Sequence, residues 1–226
     1  AMPTVTVSPG LASSATSVIS VSSGSVVSGA GITVTLTARD AAGNNLTVGG
    51  STVTFARTGG TSTGNFSAVI DNNDGTYSAT FTGVLAGTAT TITGTVGGSA
   101  VSTTLPTVTV TPGAISGSNS LITVSASSVV SGSSVVATLQ ARDAAGNNLS
   151  TGSATVVFSH TGGTSTGSFS ATVDVTNGTY TSNFTGNLAG TATSIRATVN
   201  GVSVATTLPT VAVLPGPISP TTSTIT

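Results

Sequence analysis

The sequence contains no cysteine, no tryptophan, no lysine and no glutamate. Without cysteine there is neither a disulfide nor a thiolate metal site. Without lysine, no Lys–Asn isopeptide cross-link can form. Cations are confined to Arg39, Arg57, Arg142 and Arg196, and anions to Asp40, Asp71, Asp74, Asp143 and Asp174. A net charge of −1 over 226 residues sets up no long-range field to draw in a nucleic acid or an anionic membrane. Nucleic-acid recognition also asks for clustered cations with aromatics between them, and that pattern is missing. The single histidine, His160, has no second imidazole for a metal site and no oriented serine and aspartate for nucleophilic catalysis. Long apolar runs are absent as well. Mean hydropathy is positive, yet Val and Ile alternate with Thr and Ser, and no run approaches the roughly 18 residues that span a bilayer. Membrane insertion is therefore not expected.

What fills the chain instead is Ser and Thr, more than a third of all residues, arranged in a long repeat. Thr4-Val-Thr-Val-Ser-Pro-Gly10 returns as Thr107 to Gly113 and again as Thr210 to Gly216. Arg39-Asp-Ala-Ala-Gly-Asn-Asn-Leu46 returns unchanged as Arg142 to Leu149, and Thr58-Gly-Gly-Thr-Ser-Thr-Gly64 as Thr161 to Gly167. Every offset is 103 residues, with no insertion or deletion. A period of that length is a whole domain rather than a solenoid turn. The Pro-Gly pairs that begin at Pro9, Pro112 and Pro215 are natural joints, because proline limits φ and glycine lets the chain turn. The expected organisation is the tail of a preceding repeat in residues 1–9, domains at 10–112 and 113–215, and the start of a third repeat in 216–226.

Within each unit the dominant period is two. Ile32, Val34, Leu36 and Ala38 alternate with Thr33, Thr35, Thr37 and Arg39, as in a strand with one buried face. Similar runs centre on Ile19 and Val21; Val53 and Phe55; Phe66, Ala68 and Ile70; Tyr77, Ala79 and Phe81; Ile92, Gly94 and Val96; and Val101 through Val110. No segment has helical periodicity. About seven short strands in about 100 residues predict an all-β chain of two tandem Ig-like β-sandwiches, with three phenylalanines per repeat in the core. Pro106 and Pro209 interrupt the last strand, which predicts an edge strand or a bulge there.

The residues that could carry chemistry are turn formers. Asp40 and Asp143, each followed by Ala-Ala-Gly-Asn-Asn, suit a tight turn in which the carboxylate bonds backbone. Asp71-Asn-Asn-Asp-Gly75 faintly resembles a calcium loop, but its glycine falls one position early, and the second copy, Asp174-Val-Thr-Asn-Gly178, loses a carboxylate. Tyr77 and Tyr180 follow these glycines as a tyrosine corner would, hydroxyl to backbone. His160 aligns with Arg57 and reads as a surface residue. The glycine-rich run at Thr58 to Gly64 has neither a lysine nor a following helix, so it is expected to be a flexible loop rather than a phosphate cradle. The sequons at Asn45, Asn65, Asn148 and Asn183 arise by chance in a chain so rich in Ser and Thr. No catalytic, cofactor-binding or metal-binding residue is assigned, and no cofactor is expected.

The order of these features resembles the bacterial Ig-like repeats of the invasin and intimin family of surface adhesins. It runs from Ser28-Gly29 through the Ile32 to Ala38 strand, the Asp40 to Leu46 turn, Thr52 to Phe55 and Asp71 to Tyr77, ending at Ala86-Gly-Thr88. The Asp-Gly-Thr-Tyr turn is also similar to that of filamin-type Ig repeats. The resemblance implies a non-enzymatic structural stalk or spacer, extracellular or on a bacterial cell surface, that displays another domain. Its partners would be neighbouring repeats of the same chain. Two alternatives stand beside this reading. The repeats could themselves bind a glycan or a cell-surface protein, or they could be accessory Ig-like domains of a secreted hydrolase or a phage structural protein.

Overall fold

A computed structural model describes residues 2–217. The expected start of a third repeat lies, from residue 218 onward, outside the described residues. The chain divides between Pro112 and Gly113 into two compact units, and the described residues contain no helix.

The first unit has ten strands: β1 (Val18–Val21), β2 (Ser25–Val27), β3 (Gly31–Thr37), β4 (Val53–Thr58), β5 (Gly64–Phe66), β6 (Ile70–Asp71), β7 (Thr76–Gly83), β8 (Thr90–Val96), β9 (Ser99–Ala100) and β10 (Thr107–Thr111). They form two sheets. One has the order β1-β3-β7-β5, with β6 also paired to β7, and the other β2-β10-β8-β4, with β9 paired to β8. The second unit repeats this arrangement with β11 (Leu121–Val124), β12 (Ser128–Val130), β13 (Ser134–Gln140), β14 (Val156–Thr161), β15 (Thr166–Phe169), β16 (Val173–Asp174), β17 (Thr179–Leu188), β18 (Thr193–Val199), β19 (Val202–Ser203) and β20 (Thr210–Leu214).

Alternation turns one row of each strand inward. Ile32, Val34 and Leu36 of β3 face the core, as do Tyr77, Ala79 and Phe81 of β7 and Ile92 and Val96 of β8. Each unit closes its own core; none of the buried residues in one cluster comes from the other unit. The phenylalanines contribute unequally. Phe81 and Phe184 are wholly buried and Phe158 is buried, whereas Phe55, Phe66 and Phe169 are half-buried. Phe66 links the first set, with its ring centroid 5.1 Å from that of Phe81 and 6.1 Å from that of Phe55.

Three details depart from the sequence expectation. The strand expected over Phe66, Ala68 and Ile70 is split. Phe66 pairs with Phe81 but Ile70 with Ser78, so four steps on one side oppose three on the other. That surplus residue makes a β-bulge, which exposes Ala68 and Ile70 and turns Val69 toward the core instead. The run from Val101 to Val110 is likewise not one strand: its first half is irregular, and only from Thr107 does it pair, as β10. The chain leaves β8 after the short β9, crosses to the segment before β1 where Thr103 Oγ1 donates to the Ser17 carbonyl, and returns at Thr107. Pro106 therefore precedes β10, and β10 is not an edge strand: β2 covers it on its far side. That three-residue β2, parallel to β10, has too few residues to show a period of its own.

Candidate functional site

The polar side chains singled out as site candidates collect in the turns, and each turn consumes them internally. In the first turn, Asp40 Oδ1 accepts from the backbone N–H of Ala42 at 3.0 Å and of Asn44 at 2.9 Å, while Oδ2 accepts from the Gly10 N–H at 3.0 Å. The Asn44 side-chain amide donates to both oxygens. Gly43 adopts φ +89° to close the loop. The Asn44 side chain first, then the N–H groups of Gly10 and Asn44, hold the Asp40 carboxyl down at about 2. Asp143 repeats the arrangement with Ala145, Asn147 and Gly113. There burial works to raise the pKa, and the bonds from Asn147, Gly113 and Ala145 outweigh it, so the carboxyl again lies below its usual range. Each of these aspartates thus fastens the glycine of a Pro-Gly joint to the turn after β3 or β13.

The second turn shows no cation cage either. Asp71 accepts from the N–H groups of Gly50 and Asn73, at 2.7 and 2.9 Å. Asp74 Oδ1 accepts from Thr76 N–H and from its hydroxyl, at 2.9 and 2.6 Å, and those two bonds, the hydroxyl first, hold its carboxyl below the usual range. In the second unit Asn177 Oδ1 makes the same two bonds to Thr179, at 3.0 and 2.6 Å. An amide does there what a carboxylate does in the first copy, so the position serves turn geometry and not charge. Gly75 (φ +85°) lies so close under Leu46 that a Cβ would come 2.0 Å from the Leu46 carbonyl oxygen. Among the described residues no three His, Asp or related side chains gather as a metal-ligating group.

Tyr77 and Tyr180 are buried, and each hydroxyl oxygen accepts a backbone N–H bond at 2.9 Å, from Ser51 and Ala154 respectively. The tyrosine thus pins the segment leading into β4 or β14, across the sandwich from its own turn. His160 is not the free surface residue its sequence suggests. It lies half-buried on the inward row of β14, its ring centroid 5.5 Å from that of Phe184, with Nε2 3.2 Å from the Gly167 carbonyl oxygen and Nδ1 3.1 Å from Thr193 Oγ1. Arg57, its counterpart, stays exposed.

The glycine-rich loop is also not free. Thr61 and Thr88 exchange backbone-to-hydroxyl bonds in both directions, at 2.9 and 2.8 Å. Ser62 is buried, donating to the Gly87 carbonyl and accepting from the Val110 N–H. Thr164, Thr191 and Ser165 rebuild the clasp in the second unit. Ser-Thr content gave no sign of this pairing, whose partners lie 27 and 48 residues apart.

Each unit has an open cleft beside its Pro-Gly joint. That of the first, about 660 Å³, is lined by Pro9, Gly10, Leu11, Leu46, Val48 and Gly50 among others. That of the second, about 230 Å³, includes Gly113, Ala114, Ile115, Leu149 and Thr151. Neither lining contains a charged side chain.

The family description "Invasin, domain 3" matches residues 13–113 and again residues 116–216. Among solved structures, the Escherichia coli adhesin FdeC is 27% identical with a TM-score of 0.54, the match covering 93% of this chain and 68% of that one. Invasin, described as a bacterial integrin-binding protein, is 24% identical with a TM-score of 0.52, covering 91% of this chain and 41% of its own. Yersinia pseudotuberculosis InvD is 26% identical with a TM-score of 0.47, covering 94% of this chain and 62% of its own. The chain thus spans well under two thirds of invasin. No curated protein sequence matches it. Two matches in tandem over most of the chain, on two β-sandwiches of one topology, show that it belongs to the invasin domain 3 family of adhesin Ig-like domains.

Proposed function

We propose that the two repeats are a spacer segment of an adhesin-type protein at a bacterial cell surface or outside the cell, holding another domain away from its attachment point and performing no chemistry. The observation that carries this reading is the internal use of the turn chemistry. Asp40, Asp71, Asp74, Asp143 and Asp174 all accept bonds from backbone of their own unit, and no buried side-chain N or O among the described residues lacks a partner. A site that recognises a ligand keeps donors and acceptors pointing outward, and these turns spend theirs on the fold.

The same reading takes residues 1–9 as the tail of a preceding repeat, and 10–112 and 113–215 as the whole domains. Val5 and Val7 are 88% and 84% exposed, whereas their counterparts Val108 and Val110 in β10 are 0% and 1% exposed. An alternating apolar row of that kind is buried only inside a sandwich.

The test is a binding screen of the folded two-repeat protein against glycans, matrix proteins and host cells. The expected result is no saturable binding. Saturable binding to one class would make the repeats themselves the adhesive surface and overturn the spacer assignment.

A further inference from the structure

We infer that each repeat carries tension between its ends in shear, with the strands that receive the load pulled along their own axes. The strand directions require this. In the first unit β1 is antiparallel to β3, pairing Val18 with Thr37 and Val21 with Val34. The chain therefore comes in beside the C-terminal end of β3, the end where Asp40 holds the Gly10 N–H. It leaves through β10, which runs parallel to β2 and pairs Thr111 with Val27. That pair lies beside Gly29 and Ala30, whose backbone bonds tie them to Gly83 at the opposite end of β3 and β7. The two joints of a repeat are thus at opposite ends of its strands, and a pull on both draws β1 one way and β10 the other.

Ladder bonds run across the strands. A load along the strand axis is borne by all of them at once, whereas a load across the axis opens them one by one. β10 resists as the inner member of three strands. Gly24 O accepts from Thr109 N–H at 3.0 Å and Thr111 O from Ser28 N–H at 2.8 Å on the β2 side, β8 pairs on the other, and the buried Ser62 Oγ takes the Val110 N–H. The second unit has the same set. Ser127 O accepts from Ala212 N–H and Leu214 O from Ser131 N–H, both at 2.9 Å, and Ser165 Oγ takes the Val213 N–H. The Asp40–Gly10 and Asp143–Gly113 bonds stand first in the load path. A three-residue β2 that adds little apolar burial has a reason to exist as the second rail of β10. This deepens the spacer reading and rests on it only for its use. Force measurements test the strand geometry and ligand binding tests the spacer role, so either can fail alone.

The absence of cysteine makes the experiment clean, because introduced pairs are the only attachment points. The full chain is stretched in a single-molecule trap, once through its two ends and once through a Thr155→Cys, Val202→Cys pair. Thr155 precedes β14 and Val202 lies in β19, on either side of the same end of β18, so this pull acts across the strands and peels them bond by bond. End-loading is expected to require a severalfold higher unfolding force at the same pulling rate; equal forces in the two geometries overturn the inference. Ala212→Pro removes the bond to Ser127 while sparing the β18 side. It is expected to weaken one of the two end-loaded steps and leave the peeling force nearly unchanged. A proportional fall in both geometries would mark it as a general destabilisation and count against shear.

Discussion

Asp74 and Asn177 occupy the same place in the two units and make the same pair of bonds. Asp74→Asn should therefore leave the thermal midpoint of the first unit unchanged, and a clear loss would mean that the charge matters after all. Asp40 and Asp143 differ from Asp74 in that they hold a joint. Both carboxyls lie below their ordinary range in the folded protein, Asp40 at about 2 against an unfolded value of 3.8. A depressed value means that the stabilisation is fully present above about pH 4 and fades as pH falls through the folded value. Urea midpoints should be flat from neutral pH to about 5 and drop between about 4 and 2; a flat profile to pH 2 would refute the assignment. The phenylalanines rank by burial. Phe81→Ala, at a wholly buried position, should cost its unit about 3–5 kcal/mol. Phe55→Ala, half-buried, should cost less, and calorimetry of the two variants checks the order. That Tyr77 would bond backbone was legible from the residues around it. That its acceptor would meet Ser51, 26 residues back, was not, since only the folded sandwich brings the two together.

The strands that sequence locates best are those with long alternation, β3, β7 and β8, because their buried rows are set by side-chain period alone. Among those it misses, β2 and β12 owe their existence to long-range parallel pairing with β10 and β20. The bulge before β6 is hidden for a similar reason: apolar residues at Ala68, Val69 and Ile70 fit either phase, and the pairing with β7 decides. Edge protection becomes clear at this scale too. With no lysine available, β4 and β14 carry Arg57 and His160 on their inward rows, and a cation or polar ring on that row discourages another strand from docking. The Thr61–Thr88 clasp makes a further test. Ser62→Ala strips the buried Val110 N–H and Gly87 carbonyl of their partner, which should cost about 1–3 kcal/mol. Chemical denaturation of the variant would show no change if the loop were merely flexible.

At the scale of the molecule, each core is complete within its own repeat. Residues 113–217 alone should fold and unfold cooperatively, with a denaturant midpoint close to that of the second unit in the full chain. A chain that stays unfolded would show that the repeats depend on one another. The repeat and the sandwich were readable from periodicity because both follow from local pattern. The internal engagement of the turns was only half readable: Asp, Asn and Gly announce a turn, but which backbone groups each carboxylate takes depends on segments 21 to 30 residues distant.

Self-contained cores on an unbroken 103-residue period also bear on inheritance. A genetic crossover between the two copies, at matched positions anywhere in the repeat, joins strands that already share register and sheet order. Where the copies differ, as at Arg57 and His160, either residue occupies the same row of the same edge strand. Whole domains can thus be gained or lost in frame without breaking a core, which makes the length of such an array a trait that selection can adjust one domain at a time.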